Sequence, residues 1–311
     1  MLALGVSVLL AACSPAPARA SLPLPNQPGA AAVILPSPTL RASPTLPEPA
    51  SLPLSLTSTP TPTLIPPIAA AAPCLSQPGE LVDSQLVTDQ MPEPLPFRVY
   101  LPPCYQAGGS QRYPVLYLLN GQDYSDDQWT RLGIATTADR LIASARIPPL
   151  IIVMPGDSDW RQPNESPFGD VLVEELVPWI DAHYPTLADR QARAIGGLSR
   201  GAAWAIHLGL EDWALFGAIG AHSLPLFWDD DDEKINEWLD AIPPISFPRI
   251  YLDISTKDLD LRSNQAFESL LTARGVPHEW HLFVGYHDET YWSAHLEAYL
   301  LWYSRGWARQ P

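Results

Sequence analysis

Positive charge is scarce in this 311-residue sequence: 18 Lys and Arg stand against 34 Asp and Glu, for a formal charge of −16. A chain so acidic repels phosphate backbones, which argues against nucleic acid as a partner. Cysteine is scarcer still, with three in the whole chain. The apolar stretch at residues 2–12 is too short to span a bilayer. Beyond that start, the first 73 residues have almost no alternating or helical hydrophobic pattern, so they supply neither strand nor core. No internal repeat of useful period is visible. The acidic run 229–233 lacks the oxygen spacing and the turn glycine of a calcium loop, and it reads as a solvated loop. The pattern implies no metal and no organic cofactor.

What is present divides the chain in three. Residues 2–12 read as the hydrophobic region of an export signal. The usual basic segment ahead of it is missing, so the true start is expected upstream of Met1. Leu10-Ala11-Ala12-Cys13 resembles the lipobox of bacterial lipoproteins, in which the signal is cut before the Cys and that Cys is lipidated. The expectation is a signal over 1–13 and an exported, cell-surface lipoprotein that meets its membrane only through Cys13. An ordinary secretory signal is the alternative. Two acyl chains suffice for stable anchoring. Residues 14–73 are dominated by Pro, Ser, Thr and Ala, with only Arg19, Arg41 and Glu48 charged. Pro removes backbone donors and biases the chain to polyproline II, so this segment reads as a disordered tether reaching roughly 190 Å at ~3.1 Å per residue. Residues 74–311, rich in Trp, Tyr, Leu and Ile, have the size of one domain with a substantial core. With Cys13 lipidated, Cys74 and Cys104 remain as an even pair in an oxidising compartment, and a disulfide between them is expected. Two separate buried thiols are the alternative.

Within the third part, residues 81–88 and 97–101 predict two strands. Residues 113–120 form a compact apolar run ending at Gly121, as a buried central strand does. The spacing predicts a helix over 126–146, a strand over 150–154 and helical structure over 169–183. A short strand over 193–195, a helix over 200–210 and strands over 218–221 and 249–255 follow. A helix over 264–274 stops at Gly275, and a strand over 279–284 and a helix over 291–304 close the chain. Strands alternating with helices argue for an α/β fold, a mostly parallel sheet covered by helices on both faces. Ligands in such sheets bind beyond the carboxyl ends of the strands, so reactive residues belong just after strands.

Gly197-Leu198-Ser199-Arg200-Gly201 meets that condition. The G-x-S-x-G pattern is weak by itself, but here a strand precedes it and Ala202-Ala203-Trp204-Ala205-Ile206 follows as a helix. The glycines permit a sharp strand-to-helix turn that exposes the Ser199 hydroxyl and aims a helix N-terminus at a developing oxyanion. A Gly-rich turn with a capping Ser is the bland alternative. A serine hydroxyl needs a base to take its proton and a carboxylate to orient that base, in the chain order Ser, acid, His for such a turn. His287 stands in Val284-Gly285-Tyr286-His287-Asp288, the turn leaving the last strand, where the base must be. His207, His278, His281 and His295 fall inside helices or a strand and read as packing or surface residues. Asp258 follows the 249–255 strand as the leading acid, and Asp260 is its rival on the same loop.

The likeness extends further along the chain. Phe97-Arg98-Val99-Tyr100-Leu101-Pro102-Pro103, Tyr117-Leu118-Leu119-Asn120-Gly121 with Trp129, Glu174-Glu175-Leu176-Val177-Pro178-Trp179-Ile180, the Ser199 turn and Gly285-Tyr286-His287-Asp288-Glu289-Thr290-Tyr291-Trp292 occur in order. Over 80–305 the sequence resembles the esterase D-like family of α/β-hydrolases, which includes feruloyl esterases, S-formylglutathione hydrolases, enterochelin esterases and mycolyltransferases. The resemblance implies the α/β-hydrolase fold and a serine esterase that works through an acyl-enzyme on Ser199, without a cofactor. It places Ser199, Asp258 and His287 in the triad and the backbone N–H groups of Gln122 and Arg200 in the oxyanion hole. Asp260, nearer the following helix, has an alternative use as a favourable charge at its N-terminus. Asn120-Gly121 departs from the family's usual His-Gly, and Ala202 stands where Gly is frequent.

Asn120, Trp160 and His222 are the candidates for the substrate pocket, with a structural role as the alternative for His222. The expected substrate is a small-molecule or polysaccharide-linked ester. The segment 223–245, read as cap loops, carries no code for its acyl or alcohol group. An acyltransferase of the mycolyltransferase type, passing the acyl group to a sugar, and a non-catalytic binding module on the same fold are the rival readings.

Overall fold

The apolar runs of the sequence become the strands of one eight-stranded sheet in the computed structural model, which describes residues 73–307. The strands are β1 (Glu80–Leu86), β2 (Leu95–Leu101), β3 (Val115–Leu119), β4 (Ile151–Pro155), β5 (Arg193–Leu198), β6 (Ala218–His222), β7 (Arg249–Ser255) and β8 (His278–Phe283). Their order is β1-β2-β4-β3-β5-β6-β7-β8, with β1 and β2 antiparallel at one edge and the other six parallel. The helices are α1 (Gln128–Leu132), α2 (Ile134–Ala143), α3 (Phe168–Asp170), α4 (Val177–His183), α5 (Arg200–Glu211), α6 (Asp232–Ala241), α7 (Leu261–Ala273) and α8 (Glu289–Tyr303). This is the mostly parallel α/β sheet that the sequence pattern predicts, in the α/β-hydrolase architecture that the resemblance implies.

The central strands are apolar throughout because both faces are covered. Successive side chains point to opposite faces, so Val115, Tyr117 and Leu119 of β3 enter one core while Leu116 and Leu118 enter the other. The first core is closed by Val177 and Ile180 of α4, Trp204 and Ile206 of α5, Ile235 and Trp238 of α6, and Phe267 and Leu271 of α7. The second is closed by Trp129 of α1, Leu141 of α2 and Trp292, Tyr299 and Tyr303 of α8.

Three local expectations change. The helix expected over 126–146 is two helices, because Gly133 turns the chain at φ 97, a conformation open to a residue without Cβ. The helical stretch over 169–183 passes through a π-helical segment, Val171–Leu176, before α4. Pro178 in the first turn of α4 has no N–H to return to the preceding turn. The acidic run 229–233 is not a solvated loop but the start of α6. Asp231 caps that helix by accepting from the Lys234 amide, Asp232 and Glu233 lie at its positive end, and Ile235, Trp238 and Leu239 bury one face. Asp230 is itself buried.

Cys74 and Cys104 form a disulfide with Cα atoms 5.2 Å apart, tying the short 3-10 turn Pro73–Ser76 to the chain just after β2. Cys13, the signal and residues 14–72 of the tether lie outside the described residues. Among the described residues no helix is long and apolar enough to cross a membrane.

Candidate active site

Ser199 stands between β5 and α5 at φ 53 and ψ −126, a backbone conformation whose cost is of order 1–3 kcal/mol for a residue with a side chain. The surrounding packing imposes it. A Cβ on Gly197 would lie 2.2 Å from the Gly201 carbonyl, and one on Gly201 would lie 2.3 Å from the Leu119 oxygen, so strand and helix meet only because both are glycine. The Ser199 amide donates to the His222 carbonyl, and the Ser199 carbonyl accepts from Ala202 and Ala203 as α5 begins.

The turn between β8 and α8 carries His287, whose Nε2 lies 2.9 Å from Ser199 Oγ. Its Nδ1 lies 2.9 Å from Asp258 Oδ2, and Asp258 follows β7. Asp258 Oδ1 accepts from the Asp260 amide at 3.0 Å, so Asp260 braces the acid through its backbone. Asp288 accepts from the Tyr291 amide and so caps α8, and the Trp292 ring meets the His287 ring edge-on with centroids 5.1 Å apart. Burial pulls the His287 pKa down, but the hydrogen bond and charge of Asp258 outweigh it and hold it above the usual histidine value. Burial pushes Asp258 up, and the bonds from His287 and the Asp260 amide bring it below the usual carboxylate value. Asp260 is raised, by burial and then by repulsion from Asp258. Asp258, Asp260 and His287 are also the one group of metal-ligating side chains drawn together among the described residues. The donor atoms a cation would need from His287 and Asp258 are engaged in the hydrogen-bond chain to Ser199.

Residues 88–303 match the model of the family described as "Putative esterase". The chain belongs to that family. A xylanase/feruloyl esterase of Xylanibacter ruminicola is 38% identical over 118 residues, which are 33% of this chain and 16% of that protein. An esterase of Mycobacterium tuberculosis is 31% identical over 150 residues, 45% of this chain and 31% of that protein. The chain therefore spans less than a third of the length of either relative. A solved ferulic acid esterase superposes with a TM-score of 0.66 at 25% identity, covering 73% of this chain and 98% of that one.

Two cavities of this family member flank Ser199. One, of about 300 Å³, is lined on the His287 side by Gln122, Tyr124, Asp288, Glu289 and Trp292. The other, of about 290 Å³, is bordered by Gln122, Trp160, Gln162, Arg200, Phe227 and Trp228. Gln122 and Arg200 thus both adjoin the nucleophile. Trp160 borders the second cavity and is 68% exposed.

Asn120 and His222 do not line either cavity. Asn120 is 2% exposed, with Oδ1 accepting from the Asp157 amide and Nδ2 within 2.9 Å of the Gly121, Tyr124 and Asp157 carbonyls. Its amide group braces the loop that carries Gln122 and leaves nothing for substrate. His222 is fully buried between Asp253 and Tyr303 and stacked on Tyr299, because β6 lies inside the sheet and α8 covers its end. Residues absent from the sequence reading supply the rest. Trp228, which borders the same cavity as Trp160, is 91% exposed, and its amide donates to Gln162 Oε1. Asp157, buried, pairs with Arg200 and accepts from Trp204, fixing the start of α5. An Arg opening a buried, apolar helix was the available signal for such an acid.

Proposed function

We propose that this chain is a serine carboxylic-ester hydrolase acting through an acyl-enzyme on Ser199. The observation that carries the reading is the unbroken chain of 2.9 Å contacts from Ser199 through His287 to Asp258 at a strained strand-to-helix turn. His287 takes the Ser199 proton as the hydroxyl oxygen attacks the ester carbonyl, and Asp258 fixes the imidazole tautomer. The amides of Gln122 and Arg200 hold the oxyanion, each lowering the barrier by ~3–4 kcal/mol on the scale of deletion measurements. His287 then protonates the departing alcohol and activates a water that releases the acid.

The division of labour between the cavities follows from that proton. His287 must hand it to the leaving oxygen, so the alcohol occupies the cavity on its side. The acyl group lies across Ser199, between Trp160 and Trp228 and over Phe227. Flat aromatic walls suit a planar arylacyl group, in keeping with the feruloyl esterase relatives. The substrate class is thus an ester of an aromatic (arylacyl) carboxylic acid, as a small molecule or attached to a polysaccharide. A panel of alkyl, aryl and feruloyl esters, run with and without a sugar acceptor, tests this. Free acid is the expected product, and Ser199→Ala should abolish turnover and fluorophosphonate labelling while the fold persists. Turnover at the wild-type rate in that variant refutes the mechanism, and a sugar ester as product replaces hydrolysis by acyl transfer.

We also propose that the domain is exported and held at the cell surface through lipidated Cys13. The support is the apolar run ending in Leu10-Ala11-Ala12-Cys13, followed by a Pro-rich segment.

A further inference from the structure

The loop after β4 reaches both sides of the nucleophile through one buried residue, Asp157. Its Oδ2 accepts from Arg200 Nε at 2.8 Å and from Trp204 Nε1 at 2.7 Å, which holds the first turn of α5. Arg200 Nη2 donates to the Arg161 carbonyl of the same loop at 2.7 Å. On the other side, the Asp157 main chain pairs with the side-chain amide of Asn120. The Asp157 amide donates to Asn120 Oδ1 at 2.9 Å, and its carbonyl accepts from Asn120 Nδ2 at 2.7 Å. Asn120 Nδ2 also lies 2.9 Å from the Gly121 carbonyl. A peptide unit is planar and trans, so a held carbonyl aims the N–H on the opposite side of the same plane. The Gly121 carbonyl shares its peptide with the Gln122 N–H. The Ser199 carbonyl, held by the Ala202 and Ala203 amides as α5 begins, shares its peptide with the Arg200 N–H. Asp157 therefore joins the two segments whose peptides present the oxyanion donors.

We propose that Asp157 is a positioning residue for the ester hydrolysis, setting the separation and direction of the Gln122 and Arg200 amides. This rests on the serine-hydrolase reading above and on its two oxyanion donors. A buried ion pair adds little stability over an apolar pair of the same size, but its hydrogen bonds are directional, so the Asp157–Arg200 pair contributes position. The negative oxygen develops only on the way to the tetrahedral state. Misplaced donors therefore slow the chemical step and leave ester binding nearly untouched.

The experiment measures Asp157→Asn in the full chain with an arylacyl ester and two competitors. One competitor is an aryl trifluoromethyl ketone. The Ser199 oxygen adds to its carbonyl carbon, the C=O electron pair moves to oxygen and the Ser199 proton to His287, so its affinity reports the oxyanion hole. The other is cinnamate, which reports binding without that charge. Asp157→Asn should lower kcat by roughly 10- to 100-fold, less than the ~10²–10³ lost when a donor is deleted outright. KM should stay within about twofold. Affinity for the ketone should fall by about the same factor as kcat, and affinity for cinnamate by less than about twofold. Wild-type kcat in the folded variant overturns the proposal, and so does an equal loss of both affinities, the mark of general disruption. Where Asp157→Asn leaves Arg200 buried, unpaired and the chain unfolded, Asp157→Asn with Arg200→Gln removes both charges and keeps the Arg200-position amide. The proposal requires the same loss of kcat and ketone affinity in that double variant, and wild-type values there refute it. Asn120→Ala cuts the opposite arm and should show the same signature. Wild-type kcat and ketone affinity in that variant would detach Asp157 from the Gln122 side and also overturn the idea. A wild-type chain that neither turns over esters nor labels at Ser199 defeats the hydrolase reading itself, an outcome distinct from all of these.

Discussion

Asp258 and Asp260 lie two residues apart on one loop, and the tertiary structure separates their roles. Asp258 presents Oδ2 to His287, whereas Asp260 ends the loop as the residue that opens α7 and gives Asp258 its amide. Asp258→Asn should lower kcat/KM by roughly 10³–10⁴, the scale of a triad histidine that has lost its tautomer. Asp260→Asn should change it less than about tenfold, under ~1.4 kcal/mol in the barrier. The reverse order would reassign the acid and leave Ser199 and His287 in place. The pH profile adds a signed check. His287 acts as a base only when neutral, and its pKa is held above the ordinary value. The acid limb of kcat/KM should therefore lie above the usual histidine range in the wild type. Replacing Asp258 by Asn leaves burial as the dominant influence, so the limb should move to lower pH. A profile that does not move would show that Asp258 is not the partner of His287.

At the scale of elements, α5 and the start of α6 are joined by one imidazole. His207 Nδ1 lies 2.9 Å from Asp230 and its Nε2 3.0 Å from Glu211, and only the doubly protonated ring donates to both. Burial lowers the His207 pKa, but the bonds to Asp230 and Glu211 raise it above the ordinary value. A group raised on folding contributes stability that is complete below its unfolded pKa and is lost as pH rises through the folded one. His207→Asn should thus lower the melting temperature more near pH 5.5 than near pH 8.5, and an equal drop at both would exclude the charged clasp. Little of this could be read in the chain. His207 and Asp230 are remote in sequence, and the acidic run hides a helix start. The spacing of Ile235, Trp238 and Leu239 after Asp231 was nonetheless the ordinary signature of a capped, half-buried helix.

At the scale of the whole molecule stand the disulfide and the proposed lipid anchor. The disulfide closes a loop with a sequence separation of 30. Replacing both Cys74 and Cys104 by Ser should cost ~3–4 kcal/mol on the chain-entropy model, measured by denaturant unfolding of the oxidised wild type and the variant. An unchanged midpoint would mean that the bridge joins segments already held by packing. Cys13→Ser should release the protein from membranes into the soluble fraction. Unaltered membrane fractionation of that variant would count against the lipid anchor.

Strand and helix identity, the Ser199 turn and the place of His287 could be read from the chain because each depends on neighbours a few residues away. A glycine-flanked serine after an apolar run can make only a few kinds of turn, and a histidine just after the last strand stands at the carboxyl end of the sheet. The even pair Cys74 and Cys104 needed only a count. Which of Asp258 and Asp260 meets His287, the inward burial of Asn120 and His222, and the place of Trp228 and Trp160 on one cavity depend on packing between segments far apart in sequence. The direction and burial of a side chain depend on what lies against it. For these residues that is set by α8 closing over β6, the 157 loop folding back on Asn120, and the chain before α6 crossing to meet Gln162.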